Sequence, residues 1–103
     1  MMDAHFKFAL GEIVRHKDLN LRGVVVEMDD KFVGTEEMYS EMEELKPEKN
    51  QPWYQVIIDG EEDISYIPER LLVHDGSPEP IRSSLIPDLF QTFENGKYSR
   101  PTH

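Results

Sequence analysis

The chain contains no cysteine, so it has no disulfide framework, no thiolate nucleophile and no cysteine-based zinc site. It also contains no apolar run approaching the roughly 18 residues that a membrane span needs. Its opening residues, Met1-Met2-Asp3-Ala4-His5-Phe6-Lys7, lack the basic and apolar regions of a secretory signal. Positive charge is scarce: 11 Lys and Arg stand against 21 Asp and Glu, a formal net charge of −10. For such an anion the counterion release that drives nucleic-acid affinity is opposed by its own field, and only a local basic patch could bring it to phosphate. What remains is enough for one modest core: 103 residues, 38 % hydrophobic and 31 % charged, with five Phe, four Tyr and one Trp. The expectation is a single soluble, cytoplasmic domain.

Catalytic signatures are equally sparse. No Gly-x-Ser-x-Gly elbow occurs, and no Gly-rich stretch could cradle a phosphate. His5, His16, His74 and His103 are scattered, with none of the spacings that place two metal ligands on one helix face. Glu61-Glu62-Asp63 lacks the alternating oxygen ligands of a calcium loop and fits a solvated turn. The expectation is a protein that is not an enzyme and holds no metal or cofactor.

The dominant pattern is β. Glu12–His16 and Leu21–Met28 are β-branched runs flanking the turn-prone Lys17-Asp18-Leu19-Asn20, a strand pair. Gly23 within the second run suggests a bulge or a sharply coiled strand. Pro52–Asp59 forms a strong strand, Gly60 turns the chain, Asp63–Ile67 makes a fourth strand and Leu71–Val73 a fifth. Five short strands so closely spaced predict a small barrel that closes on itself and so removes its edges. Between the second and third strands lies an acidic stretch: nine acidic residues from Glu27 to Glu48 face only Lys31 and Lys46. It fits a solvated loop or helix face, or an acidic docking surface for a basic partner. Within residues 35–50, Met38, Met42 and Leu45 share a helical face, Thr35 is placed to cap and Pro47 to stop a short acidic helix.

After His74 the run Asp75-Gly76-Ser77-Pro78-Glu79-Pro80 has the composition of a linker. Leu85, Leu89, Phe90 and Phe93 then predict a short amphipathic helix from about Pro87 to Glu94, with Gly96 beyond its end. The organisation expected is a barrel over residues 1–75 and a linker with a short helical tail over 76–103.

Phe8-x-x-Gly11-x-x-Val14-Arg15-His16, Arg22-Gly23-Val24-Val25 and Asp29, then Gln51-Pro52-Trp53-Tyr54-x-Val56 and Asp59, then Tyr66-Ile67-Pro68-Glu69 before Leu71, form an ordered set. Over roughly residues 6–75 this set resembles the heat shock protein HspQ family, also called the YccV-like or hemimethylated-DNA-binding domain. Leu21 stands where that family often has Tyr, and Pro68 and Arg70 replace commoner small or acidic residues. The resemblance implies an SH3-like five-stranded barrel. It also implies two functions: binding of hemimethylated DNA, and service in protein quality control under heat stress, as an adaptor or specificity enhancer of the Lon protease. The second is the expected function and the first its alternative. For DNA, the usable groups are Arg15, His16, Lys17 and Arg22 on the first hairpin, with Trp53 or Tyr54 as an apolar surface for a methyl or a base. The hairpin cations also suit ordinary pairing with nearby carboxylates. For protein partners, Leu89, Phe90, Phe93 and Tyr98 in the tail are candidate anchors; they equally suit capping the barrel or forming a homo-oligomer.

Overall fold

The computed structural model describes residues 6–41 and 47–100. Strands β1 (Ile13–His16), β2 (Leu21–Asp29), β3 (Trp53–Ile58), β4 (Ile64–Pro68) and β5 (Leu72–His74) form one antiparallel sheet in the order β4-β3-β2-β1-β5. A 3-10 turn over Glu69–Leu71 carries the chain from β4 to β5. The expected closure does not occur. No ladder joins β4 to β5 among the described residues, because three-residue β5 pairs only with β1 and the turn consumes the chain between the two edges. The fold is mainly β with an open sheet.

Each face of this sheet is covered, which explains why Val24-Val25-Val26 and Val56-Ile57-Ile58 are unbroken apolar runs with no polar alternation. On the inner face Val14, Val25, Tyr54, Val56, Ile58, Ile67 and Leu72 converge with Phe8 from the N-terminal segment. All five strands contribute, so the sheet curls about this core. On the outer face Ile13, Val24, Val26 and Ile57 are covered by Ile81, Phe90 and Tyr98 from the C-terminal segment. Gly11 stitches the two ends together: its N–H donates to Val25 O at 2.8 Å and its carbonyl accepts from Tyr98 N–H at 2.9 Å.

The C-terminal segment departs from expectation. Only Ile86–Leu89 is helical (α2), with Pro87 in its first turn. Thr92–Glu94 (β6) and Lys97–Ser99 (β7) then pair as a hairpin in place of the rest of the helix. Asn95 and Gly96 have φ of 53° and 75°, both left-handed, the conformation a two-residue hairpin turn demands. Phe93 and Tyr98 face each other across the hairpin, rings 4.4 Å apart. The periodicity of Leu85, Leu89 and Phe93 is therefore the periodicity of burial along an irregular layer.

The acidic helix is present as α1 (Glu36–Ser40), and Thr35 caps it by accepting from Met38 N–H at 3.1 Å. Met42, Leu45 and Lys46, the remainder of the expected helix, lie outside the described residues. The bulge in β2 falls between Val25 and Glu27, three positions beyond the glycine that suggested one. Gly23 answers to crowding instead: a Cβ there would lie 2.5 Å from Val56 Cγ1 and 2.8 Å from Ile57 O. Gly23→Ala is expected to destabilise the fold by about 2 kcal/mol through overpacking. Gly76→Ala, where a Cβ meets open space, should be nearly neutral; urea midpoints of the two variants check the contrast.

Candidate functional site

In β1 and β2, Arg15 and Arg22 stand directly opposite each other. Like charges so placed repel unless an anion lies between them, and Asp75, immediately after β5, supplies it. Arg15 Nε donates to Asp75 Oδ1 at 3.1 Å, with a second bond from its Nη2, and Arg22 Nε donates to Oδ2 at 2.8 Å. The Asp75 carboxylate has no exposed surface. Burial pushes its pKa up, but the bonds from Arg22 and Arg15 outweigh this and hold it below the usual carboxylate value. Arg15 also donates to Asn20 Oδ1 at 2.8 Å, and Arg22 to the Glu79 carbonyl. The carboxylate partner is thus Asp75, from the segment whose composition suggested a linker, and both guanidinium groups are committed within the molecule.

The other hairpin candidates divide. The His16 ring turns back on its own loop, its Nδ1 accepting from Asp18 and Leu19 N–H at 3.2 Å. Lys17 is exposed. Trp53 and Tyr54 are 0 % exposed and alternate to opposite faces of β3. Tyr54 joins the inner core beside Phe8 and donates to Glu69 Oε2 at 2.6 Å; Trp53 packs between Phe32 and Tyr66. Neither presents a ring to a base, so the expected apolar platform beside the hairpin is not built from them. Their β-branched and aromatic neighbours made each a core residue.

The tail candidates are turned inward. Phe90 and Tyr98 are buried on the outer face, and Leu89 and Phe93 pack against the same cluster. The Tyr98 hydroxyl accepts from Ile81 N–H at 2.9 Å, fixing the layer to the strand-like segment before α2. These four side chains cap the protein's own sheet, and Phe90, Phe93 and Tyr98 also line a surface groove with Ile86 and Pro87.

An open surface lies elsewhere on the outer face. The C-terminal layer covers one end of the sheet, while Phe32 and Tyr39 cover the other, beside Trp53 and Tyr66. Beside this second cover lies a groove of about 340 Å³, lined by Asp29, Val33, Met38, Gln55, Ile64 and Tyr66. Val33, Met38 and Ile64 are 61 %, 41 % and 47 % exposed, a cluster of apolar side chains in water. Its polar wall is fixed: Tyr66 Oη donates to Asp29 Oδ2 at 2.7 Å and accepts from Val33 N–H at 3.3 Å. Burial, then the bond to the Asp29 carboxylate, pushes the Tyr66 pKa up to about 12, so the phenol stays neutral. Asp29 reaches this face because of the bulge, which lets Met28 pack into the inner core while its neighbour points outward. The sequence signal for the groove was Ile64, an apolar residue inside an acidic turn and two positions from Tyr66 on the same strand face. The contact of Tyr66 on β4 with Asp29 and Val33, more than thirty positions earlier in the chain, was not visible locally.

The geometry defines a small β-domain with an open groove beside α1 and an arginine pair bonded to one internal carboxylate. A family model described as hemimethylated DNA-binding protein YccV like matches residues 6–97, and the chain belongs to the YccV-like family. No solved structure matches the chain.

Asp75→Asn would leave two facing guanidinium groups without their compensating charge, at an expected cost of about 2 kcal/mol at pH 7. Because the folded carboxyl titrates below its unfolded value, its contribution is complete above about pH 4 and disappears as pH falls toward the folded pKa. The gap between wild type and Asp75→Asn in urea unfolding should therefore narrow at about pH 2.5. An unchanged gap would show that the carboxylate is not the stabilising group.

Proposed function

We propose that this YccV-like protein is a non-enzymatic protein-binding module of the stress response, acting as an adaptor or specificity enhancer for a Lon-type protease. The observation supporting this most is the disposition of charge. The two arginines that would meet phosphate are bonded to Asp75, while three exposed apolar side chains, Val33, Met38 and Ile64, gather in a groove bordered by acids; Leu19, Leu21 and Val73 are exposed around the first hairpin and β5. Apolar anchors within a polar rim suit a protein partner. The role in quality control comes from the family resemblance, as does cytoplasmic action. The strand order and the 3-10 turn before β5 support reading the sheet as an SH3-like arrangement left unclosed.

Hemimethylated-DNA binding is the second reading, favoured by the family description itself. The groups available for it include Lys17 and Arg70, both exposed and far apart in sequence but on backbone segments that meet where Lys17 N–H donates to Leu71 O at 2.9 Å. Two such phosphate contacts give a salt slope of only about −2 in log affinity against log salt.

The test pairs two measurements. In a reconstituted degradation assay, saturating protein should raise the rate at which a Lon-type protease consumes an unfolded substrate severalfold. An unchanged rate refutes the adaptor reading. In anisotropy titrations, hemimethylated and unmethylated duplexes should bind weakly and within about twofold of each other, the limit expected when no shaped pocket receives the methyl. A tenfold preference for the hemimethylated duplex at moderate salt would reverse the ranking of the two functions.

A further inference from the structure

We propose that the groove between α1 and β4 receives an extended cationic peptide segment, lying along the β4 edge with one apolar side chain in the groove and Lys or Arg on either side. This rests on the domain being a protein-binding module, and names the chemistry of its partner.

Three observations support the assignment. First, β4 is an edge strand: it pairs with β3 alone, and no other strand pairs with it among the described residues. An edge of this kind offers backbone donors and acceptors to an added extended segment. Second, the groove opens on the outer face of that same strand, its floor made by Ile64 and Tyr66 and its far wall by Val33 and Met38. A segment lying beside β4 would present alternate side chains to the groove, following the two-residue period of a strand. Third, the border is anionic. Asp29 lines the groove, and exposed Asp30, Glu37 and Asp63 are the immediate chain neighbours of the lining residues Asp29, Met38 and Ile64. Glu27 lies across from Gln55 on the same face. Of the nearby cations, Lys49 is bonded to Glu36 at 2.9 Å and lies over the Tyr39 ring, leaving Lys31 as an exposed counterweight. The field of a −10 protein adds to this local excess. It steers cationic segments inward and repels nucleic acid and anionic membrane alike.

The experiment uses the full chain labelled with nitrogen-15 and a synthetic ten-residue peptide of alternating valine and lysine. The comparison peptide carries glutamate in place of lysine. Amide shifts should concentrate at Val33, Gln55, Ile64 and Tyr66, and the glutamate peptide should bind at least tenfold more weakly. Ile64→Lys, at a half-exposed position whose fold the same spectra verify, should lower affinity for the lysine peptide about tenfold, the scale of one lost anchor. Equal binding of the two peptides would overturn the choice of a cationic partner. Shifts centred on α2 and β6 would overturn the groove as the site, and so would unchanged affinity of Ile64→Lys. Absence of any shift at millimolar peptide would overturn the proposal outright. None of these outcomes bears on acceleration of the protease, which the degradation assay reads without peptide.

Discussion

A single carboxylate organises this fold. Asp75 sits where three strands meet: it follows β5 and binds Arg15 of β1 and Arg22 of β2. Without it the register that places the two arginines opposite each other would carry a repulsion in the middle of the first hairpin. With it, the repulsion becomes a clamp that holds short β5 to the sheet edge. The same clamp sets the chain's exit direction. Arg22 also binds the Glu79 carbonyl, so the segment after β5 is drawn back across the outer face. There Arg82 N–H and guanidinium bind Asp59 at the far end of β3, and Ile81, Phe90 and Tyr98 can close over the strands.

This arrangement separates the charges by role. Arg15 and Arg22 are bonded to the buried carboxylate of Asp75, and the exposed Arg82 is bonded to Asp59. The surplus acids face water, several of them around the groove. The guanidinium groups of Arg15 and Arg22 are thereby withdrawn from phosphate, while Lys17 and Arg70 stay exposed.

The five strands could be read from β-branched runs because each run is locally dense enough to state its own conformation. Their two-sided burial was also written there, in the unbroken Val24-Val25-Val26 and Val56-Ile57-Ile58, and implied a second covering layer that a closed barrel does not need. The identity of that layer was obscured by competing local signals. Pro87 and the spacing of Leu85, Leu89 and Phe93 spoke for a helix, while Asn95-Gly96 spoke for a hairpin; pairing of Phe93 with Tyr98 decided for the hairpin. Asp75 was illegible for a different reason. Beside Gly76, Ser77 and Pro78 it has the composition of a linker, and only the convergence of residues 53 to 60 positions apart reveals its function. The groove shares that difficulty, since Val33 and Met38 meet Ile64 only once the sheet exists.

The outer layer also imposes an order of events on a chain made from its N-terminus. Once His74 has cleared the ribosome, every strand of the five-stranded sheet is outside and the inner core can assemble around Phe8. At that moment Ile13, Val24, Val26 and Ile57 still form a bare apolar face, because Ile81, Phe90 and Tyr98 have yet to leave the ribosome. The nascent protein therefore passes through a stage in which one face of its sheet is bare, until the C-terminal segment follows and covers it.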